Sequence, residues 1–127
     1  MNKNIVELNH VALLVSDVKR SCDFYGEVLG LEPMARPAFD FPGAWFRLGS
    51  LQELHLIGGM PVARGTEQPR GNHFALRVKD LEAWRQYLQP LGLIVRGPVR
   101  RPDGAMQIFV RDPDGHLVEL FTGPAET

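Results

Sequence analysis

Cysteine is nearly absent: Cys22 is the only one in 127 residues. A single thiol cannot form an intramolecular disulfide, so no disulfide framework holds this fold, and a reducing compartment suits the chain. Cys22 lies on the apolar stripe of an expected helix and reads as a small buried residue rather than a nucleophile. Long apolar runs are missing too. No stretch approaches the ~18 residues needed for a membrane span, and Met1-Asn2-Lys3-Asn4 leads into a strand-like segment without the apolar core of a secretory signal. The net charge of −1 leaves no basic field to attract nucleic acid or an anionic membrane. The expected location is cytoplasmic. With 44% hydrophobic and 23% charged residues, the composition is that of one ordinary globular domain or two small modules sharing a core.

What the chain does contain is a phrase used twice. Asn9-His10-Val11-Ala12-Leu13-Leu14-Val15-Ser16-Asp17-Val18 returns as Asn72-His73-Phe74-Ala75-Leu76-Arg77-Val78-Lys79-Asp80-Leu81, with six of ten positions identical. The two histidines are 63 residues apart. The repeat predicts a single domain of two similar modules, about 5–57 and 72–122, joined by a glycine- and proline-containing linker over about 58–71.

Each module reads as strand, helix and three strands. In the first, a strand over about Val6–Val15 precedes a helix capped by Asp17 and stopped at Gly30, with Val18, Cys22, Tyr25 and Val28/Leu29 on one stripe. Strands are expected at Leu31–Ala35, Ala44–Leu48 and Gln52–Ile57, and Arg36–Pro42 is an expected exposed loop whose Phe39 and Phe41 either cover a ligand or anchor the loop. In the second, a strand over His73–Val78 precedes a helix capped by Asp80 and ended by Pro90 and Gly92. Strands follow at Leu93–Arg96, Ala105–Arg111 and Leu117–Thr122, the last two joined by the turn Asp112-Pro113-Asp114-Gly115. The expected fold is α+β, two βαβββ modules with helices covering one side of a mixed sheet.

Strand alternation separates the chemistry from the core. Val11, Leu13, Val15, Phe74, Leu76, Val78, Leu54, Leu56, Val118 and Leu120 form apolar faces for the helices. His10, His55, His73 and Glu119 then share the other face, with Ala12 and Ala75 leaving room beside them. His55 follows His10 by 45 residues and Glu119 follows His73 by 46, so each module offers one donor from its first strand and one from its last. Three imidazoles and a carboxylate suit a divalent metal ion: Zn, Ni, Mn, Co or Fe. Glu53 shares the face of His55 and is its competitor for that place. His116, in the turn, is expected to be solvated.

At these residues the chain resembles the vicinal oxygen chelate superfamily, the glyoxalase/bleomycin resistance/dioxygenase family. The carriers are Asn9-His10-Val11-Ala12 with Asp17, Phe24-Tyr25 followed by Leu29-Gly30-Leu31, Asn72-His73-Phe74-Ala75 with Asp80, and Asp112-Pro113-Asp114-Gly115-His116-Leu117-Val118-Glu119-Leu120. The resemblance implies a U-shaped mixed sheet around the metal, with helices on its outer side, and a homodimer with its site at or near the subunit interface. It also implies the metal ligands His10, His73 and Glu119. His55 stands at a fourth position that is glutamate in glyoxalase I, which argues against strict lactoylglutathione lyase activity.

The implied chemistry is chelation of a small substrate through vicinal oxygens, with the metal as Lewis acid and Glu119 and His55 as catalytic residues for proton transfer next to a carbonyl. A metal-dependent lyase, isomerase or epimerase of glyoxalase type is therefore the first expectation. A non-haem iron dioxygenase is the alternative, opposed by His55 filling a position oxygen would need. A metal-independent drug-binding protein, resembling bleomycin resistance proteins, would use an aromatic groove. A fosfomycin-type thiol transferase is less expected, because Arg101-Pro102-Asp103-Gly104-Ala105-Met106-Gln107 stands where a lysine- and serine-rich segment belongs. Arg77, Arg47, Trp45, Phe39 and Phe41 are the candidate substrate contacts. Arg36, Arg100 and Arg101 are further cations for an anionic substrate group.

Overall fold

The computed structural model describes residues 4–62 and 71–124, and the chain divides into two compact units, Met1–Val62 and Ala63–Thr127. Most of the expected linker, residues 63–70, lies outside the described residues. Each unit is a βαβββ module, and the fold is α+β. The eight strands form two mixed sheets of four, ordered β1-β4-β3-β2 and β5-β8-β7-β6.

In the first unit β1 is His10–Leu14, α1 Val18–Cys22, β2 Pro33–Met34, β3 Gly43–Leu48 and β4 Gln52–Ile57. The first strand is shorter than expected, starting at His10 rather than Val6, and β2 keeps only two residues of the expected five. Pro33 lacks the amide N–H a longer ladder would need, and Pro37 interrupts the chain soon after. Asp17 caps α1 by accepting from the Arg20 amide at 3.1 Å. The helix then widens into a π-turn over Asp23–Val28. That extra residue per turn rotates the stripe, so Ser21, Phe24, Tyr25 and Leu29 are buried while Cys22 is only half-buried. The core beneath is Val15, Phe46, Leu48, Leu54 and Leu56.

In the second unit β5 is His73–Arg77, α2 Leu81–Leu88, β6 Ile94–Arg100, β7 Met106–Arg111 and β8 Leu117–Thr122. Asp80 caps α2 through the Ala83 amide at 3.0 Å. A 3-10 turn over Gln89–Leu91 ends at Gly92 with φ 70°, the left-handed stop that glycine takes without strain. Leu81 and Leu88 bury the inner stripe, while Glu82 and Arg85 pair on the outer one. β6 runs four residues beyond its expected end, because bulges on either side of Arg96 let it stay paired with β7. Asp112 holds the turn before β8, its Oδ1 accepting from the Asp114 amide at 2.9 Å and the His116 amide at 2.8 Å. His116 is half-buried there, not solvated as expected.

Candidate metal centre

The two sheets present equivalent pairs. In the first, β1 and β4 are parallel and set Ala12 opposite His55. In the second, β5 and β8 are parallel and set Ala75 opposite Glu119. On the other flank, Trp45 lies opposite His55 and Phe109 opposite Glu119. Each last-strand donor therefore sits between an alanine, which opens space, and an aromatic ring, which walls it.

The second unit holds the tighter pair. His73 Nε2 lies 3.1 Å from Glu119 Oε1. His73 Nδ1 donates to the Gly71 carbonyl at 2.9 Å, so Nε2 is the ring atom that faces Glu119 and that would meet a ligand on exchanging that contact. Gln107 Nε2 donates to Glu119 Oε2 at 3.1 Å. Glu119 is buried, with 4% of its surface exposed, so these contacts replace most of its hydration. An imidazole fixed through its far nitrogen and a carboxylate oriented by an amide are the outer contacts that metal-binding pairs use.

In the first unit His10 Nδ1 donates to Asn9 Oδ1 at 2.9 Å, again leaving Nε2 available. The His10 and His55 rings stack at 4.2 Å, and Trp45 stacks on the far side of His55 at 3.9 Å with planes 4° apart. His55 Nε2 is engaged by Glu53 Oε1 at 2.8 Å. Glu53 thus serves as a partner of His55 in this structure. Among the described residues, neither unit by itself gathers three or more His, Cys, Asp or Glu side chains in a group that could hold a metal.

The expected substrate contacts separate into two sets. Phe39 and Phe41 stack at 5.1 Å, Phe39 reaches Trp45 at 6.2 Å, and the Arg36 guanidinium lies 4.9 Å from both phenyl centroids while donating to the Phe41 carbonyl. They form an aromatic wall continuous with His55. Arg47 is exposed opposite Glu53 in register, and Arg77 is exposed on the face of β5 that carries His73.

Sequence reasoning missed Gln107 and Arg96. Gln107 was accessible to the alternation argument: it stands two residues before Phe109, on the strand beside Glu119. Arg96 was not, since the bulges that set its direction leave no mark on periodicity. Together with His73, Phe109 and Glu119, these two residues line a cleft of about 470 Å³.

The chain belongs to the Glyoxalase/Bleomycin resistance protein/Dioxygenase superfamily, whose family profile matches residues 7–120. Among its relatives, Glyoxylase I 4 of Arabidopsis thaliana is 30% identical over 92% of this chain and 71% of its own length. A relative named Glutathione transferase FosA, from Serratia marcescens, is 34% identical over 91% of this chain and 80% of that protein. The fold is similar to the crystal structure of a glyoxalase family protein from Bacillus anthracis, with a TM-score of 0.82 and 25% identity over 97% of this chain and 99% of the other. No helix among the described residues is long and apolar enough to cross a membrane.

Proposed function

We propose that the protein is a divalent-metal-dependent enzyme of glyoxalase type, a lyase, isomerase or epimerase acting on a small substrate with vicinal oxygens. The observation that carries this reading is the His73–Glu119 pair, with its nitrogen and oxygen 3.1 Å apart and each side chain oriented from behind by Gly71 or Gln107. His10, His55, His73 and Glu119 are the proposed ligands. A bound Zn, Ni, Mn, Co or Fe ion would supply Lewis acidity toward the substrate oxygens. Participation of His55 requires that its Nε2 exchange Glu53 for the metal. Glu119, shielded from water, would be the group that holds or moves a proton beside the substrate carbonyl.

Wild-type protein reconstituted with Mn²⁺, Zn²⁺ or Ni²⁺ and gel-filtered should retain metal by elemental analysis, and His73→Ala should lose it. Metal-free wild-type protein after reconstitution would sink the reading. Thiol transfer is a second reading, favoured by the similarity to the named glutathione transferase. Consumption of glutathione with an electrophilic substrate would separate it from isomerisation, in which no thiol disappears. We further propose a homodimer in the cytoplasm, by analogy within the superfamily; a monomeric mass in multi-angle light scattering would overturn the dimer.

A further inference from the structure

The cleft that holds His73 and Glu119 is also lined by three arginines, Arg96, Arg100 and Arg101. Their charges are not equivalent. Arg101 is committed to Asp103, whose carboxylate it holds through Nε and Nη2. Among the described residues, Arg96 and Arg100 enter no ion pair. Arg96 is half-buried, its guanidinium 5.5 Å from the Phe109 ring centroid, and Arg100 is exposed at the end of β6. Neither is used on Glu119, which Gln107 and His73 already satisfy.

The backbone of β6 sets the direction of Arg96, while Arg100 reaches the cleft from the exposed end of the strand. Arg96 pairs with Phe109 and Val99 with Gln107, and the irregularity between them turns residues three apart toward the same cleft. In a regular strand they would point to opposite faces. Gly97 lies within that irregularity at φ 105°, and a Cβ there would come 2.5 Å from the Gln107 carbonyl oxygen. Only glycine fits.

We propose that Arg96 and Arg100 form an oxyanion subsite beside the His73–Glu119 pair. It takes the phosphate or carboxylate group of a small acid that carries its chelating oxygens nearby. Two uncompensated guanidinium forks match the paired oxygens of such groups. The assignment of this oxyanion to the substrate rests on the metal-dependent reading above; the subsite itself does not need the metal.

The test uses the full chain after chelator treatment, titrated calorimetrically at fixed ionic strength with inorganic phosphate and, separately, with acetate. At least one anion should saturate a single site, and the tighter of the two identifies the group. R96Q and R100Q should each weaken it about tenfold, the loss expected for one charge-assisted contact. R20Q, on the exposed side of α1, should leave it unchanged. R100Q alters an exposed side chain and keeps the fold. R96K retains the charge, so a loss in R96Q that R96K partly restores belongs to charge rather than packing. No saturable binding of either anion, or binding indifferent to both glutamine variants, overturns the subsite. Mn²⁺ binding measured on the same preparations separates the two readings. Mn²⁺ bound without an anion site removes this inference alone, and an anion site without Mn²⁺ removes the metal reading alone.

Discussion

Replacing Gln107 with leucine should weaken metal binding without touching any proposed ligand. Gln107 donates to Glu119 Oε2 at 3.1 Å, while Oε1 faces His73. With Glu119 only 4% exposed, water cannot fully replace the lost donor. A hydrogen bond to a charged group contributes about 1.5–3 kcal/mol, and leucine at a half-buried site recovers on the order of 1 kcal/mol in apolar burial. The metal-free Q107L chain should therefore unfold in urea with a stability lower by roughly 0.5–2 kcal/mol. The metal effect has a separate origin. A carboxylate free to rotate must be ordered again on binding, and losing such an outer contact costs about 10- to 100-fold in affinity. Mn²⁺ titration followed by electron paramagnetic resonance reads that change directly. An affinity within twofold of wild type would refute the argument that Gln107 orients Glu119, whatever the urea result.

Leu120 is 1% exposed in the centre of β8, so Leu120→Ala should cost about 2–5 kcal/mol in urea denaturation; a loss under ~1 kcal/mol would mean the cavity collapses freely. Asp80→Ala removes the acceptor for the Ala83 amide and should cost about 1 kcal/mol, with serine restoring most of it. Burial pushes the Cys22 thiol above its ordinary value of 9.0, with Asp23 adding to the rise and Lys19 opposing it. A raised value means less thiolate at pH 8, so iodoacetamide should react more slowly there than with free cysteine, accelerating only as pH climbs through the raised value. Faster reaction at pH 8 would contradict that environment.

The doubled phrase made most of this molecule legible. Period-two alternation assigns His10, His55, His73 and Glu119 to the face away from the helices, and the two sheets set His55 opposite Ala12 and Glu119 opposite Ala75 in matching register. Aspartates at 17 and 80 read as caps because a short carboxylate before a helical stripe has one ready use, and both serve it. What the sequence conceals are the departures from period. The π-turn after Cys22 exchanges buried Ser21 for the expected cysteine, and the irregularity at Gly97 redirects Arg96 into the cleft. A bulge or π-turn inserts a residue without altering composition, so a periodic reading passes over it.

Position 55 shows how neighbours decide which donor a site can carry. A glutamate there would match glyoxalase I, yet in this chain the place is shaped for an imidazole. Trp45 covers one face of the ring at 3.9 Å and His10 the other at 4.2 Å. Glu53, two residues away on the same face, accepts from the Nε2–H at 2.8 Å. A carboxylate at 55 can neither stack in that slot as a flat ring does nor donate to Glu53, and it sets two like charges side by side. His55→Glu should therefore destabilise the metal-free chain at pH 8 by about 2–3 kcal/mol, chiefly through the lost charge-assisted bond. His55→Gln, which keeps a donor and adds no charge, should cost less. Adding Glu53→Gln to His55→Glu should recover more than half of the loss, a coupling that a double-mutant cycle in urea measures. Equal stability of the His55→Glu and His55→Gln chains, or no recovery from Glu53→Gln, would show that Glu53 does not select the histidine. With recovery, the departure from the glyoxalase I pattern at 55 and the acid at 53 are one substitution in physical terms, and neither position is interpretable alone.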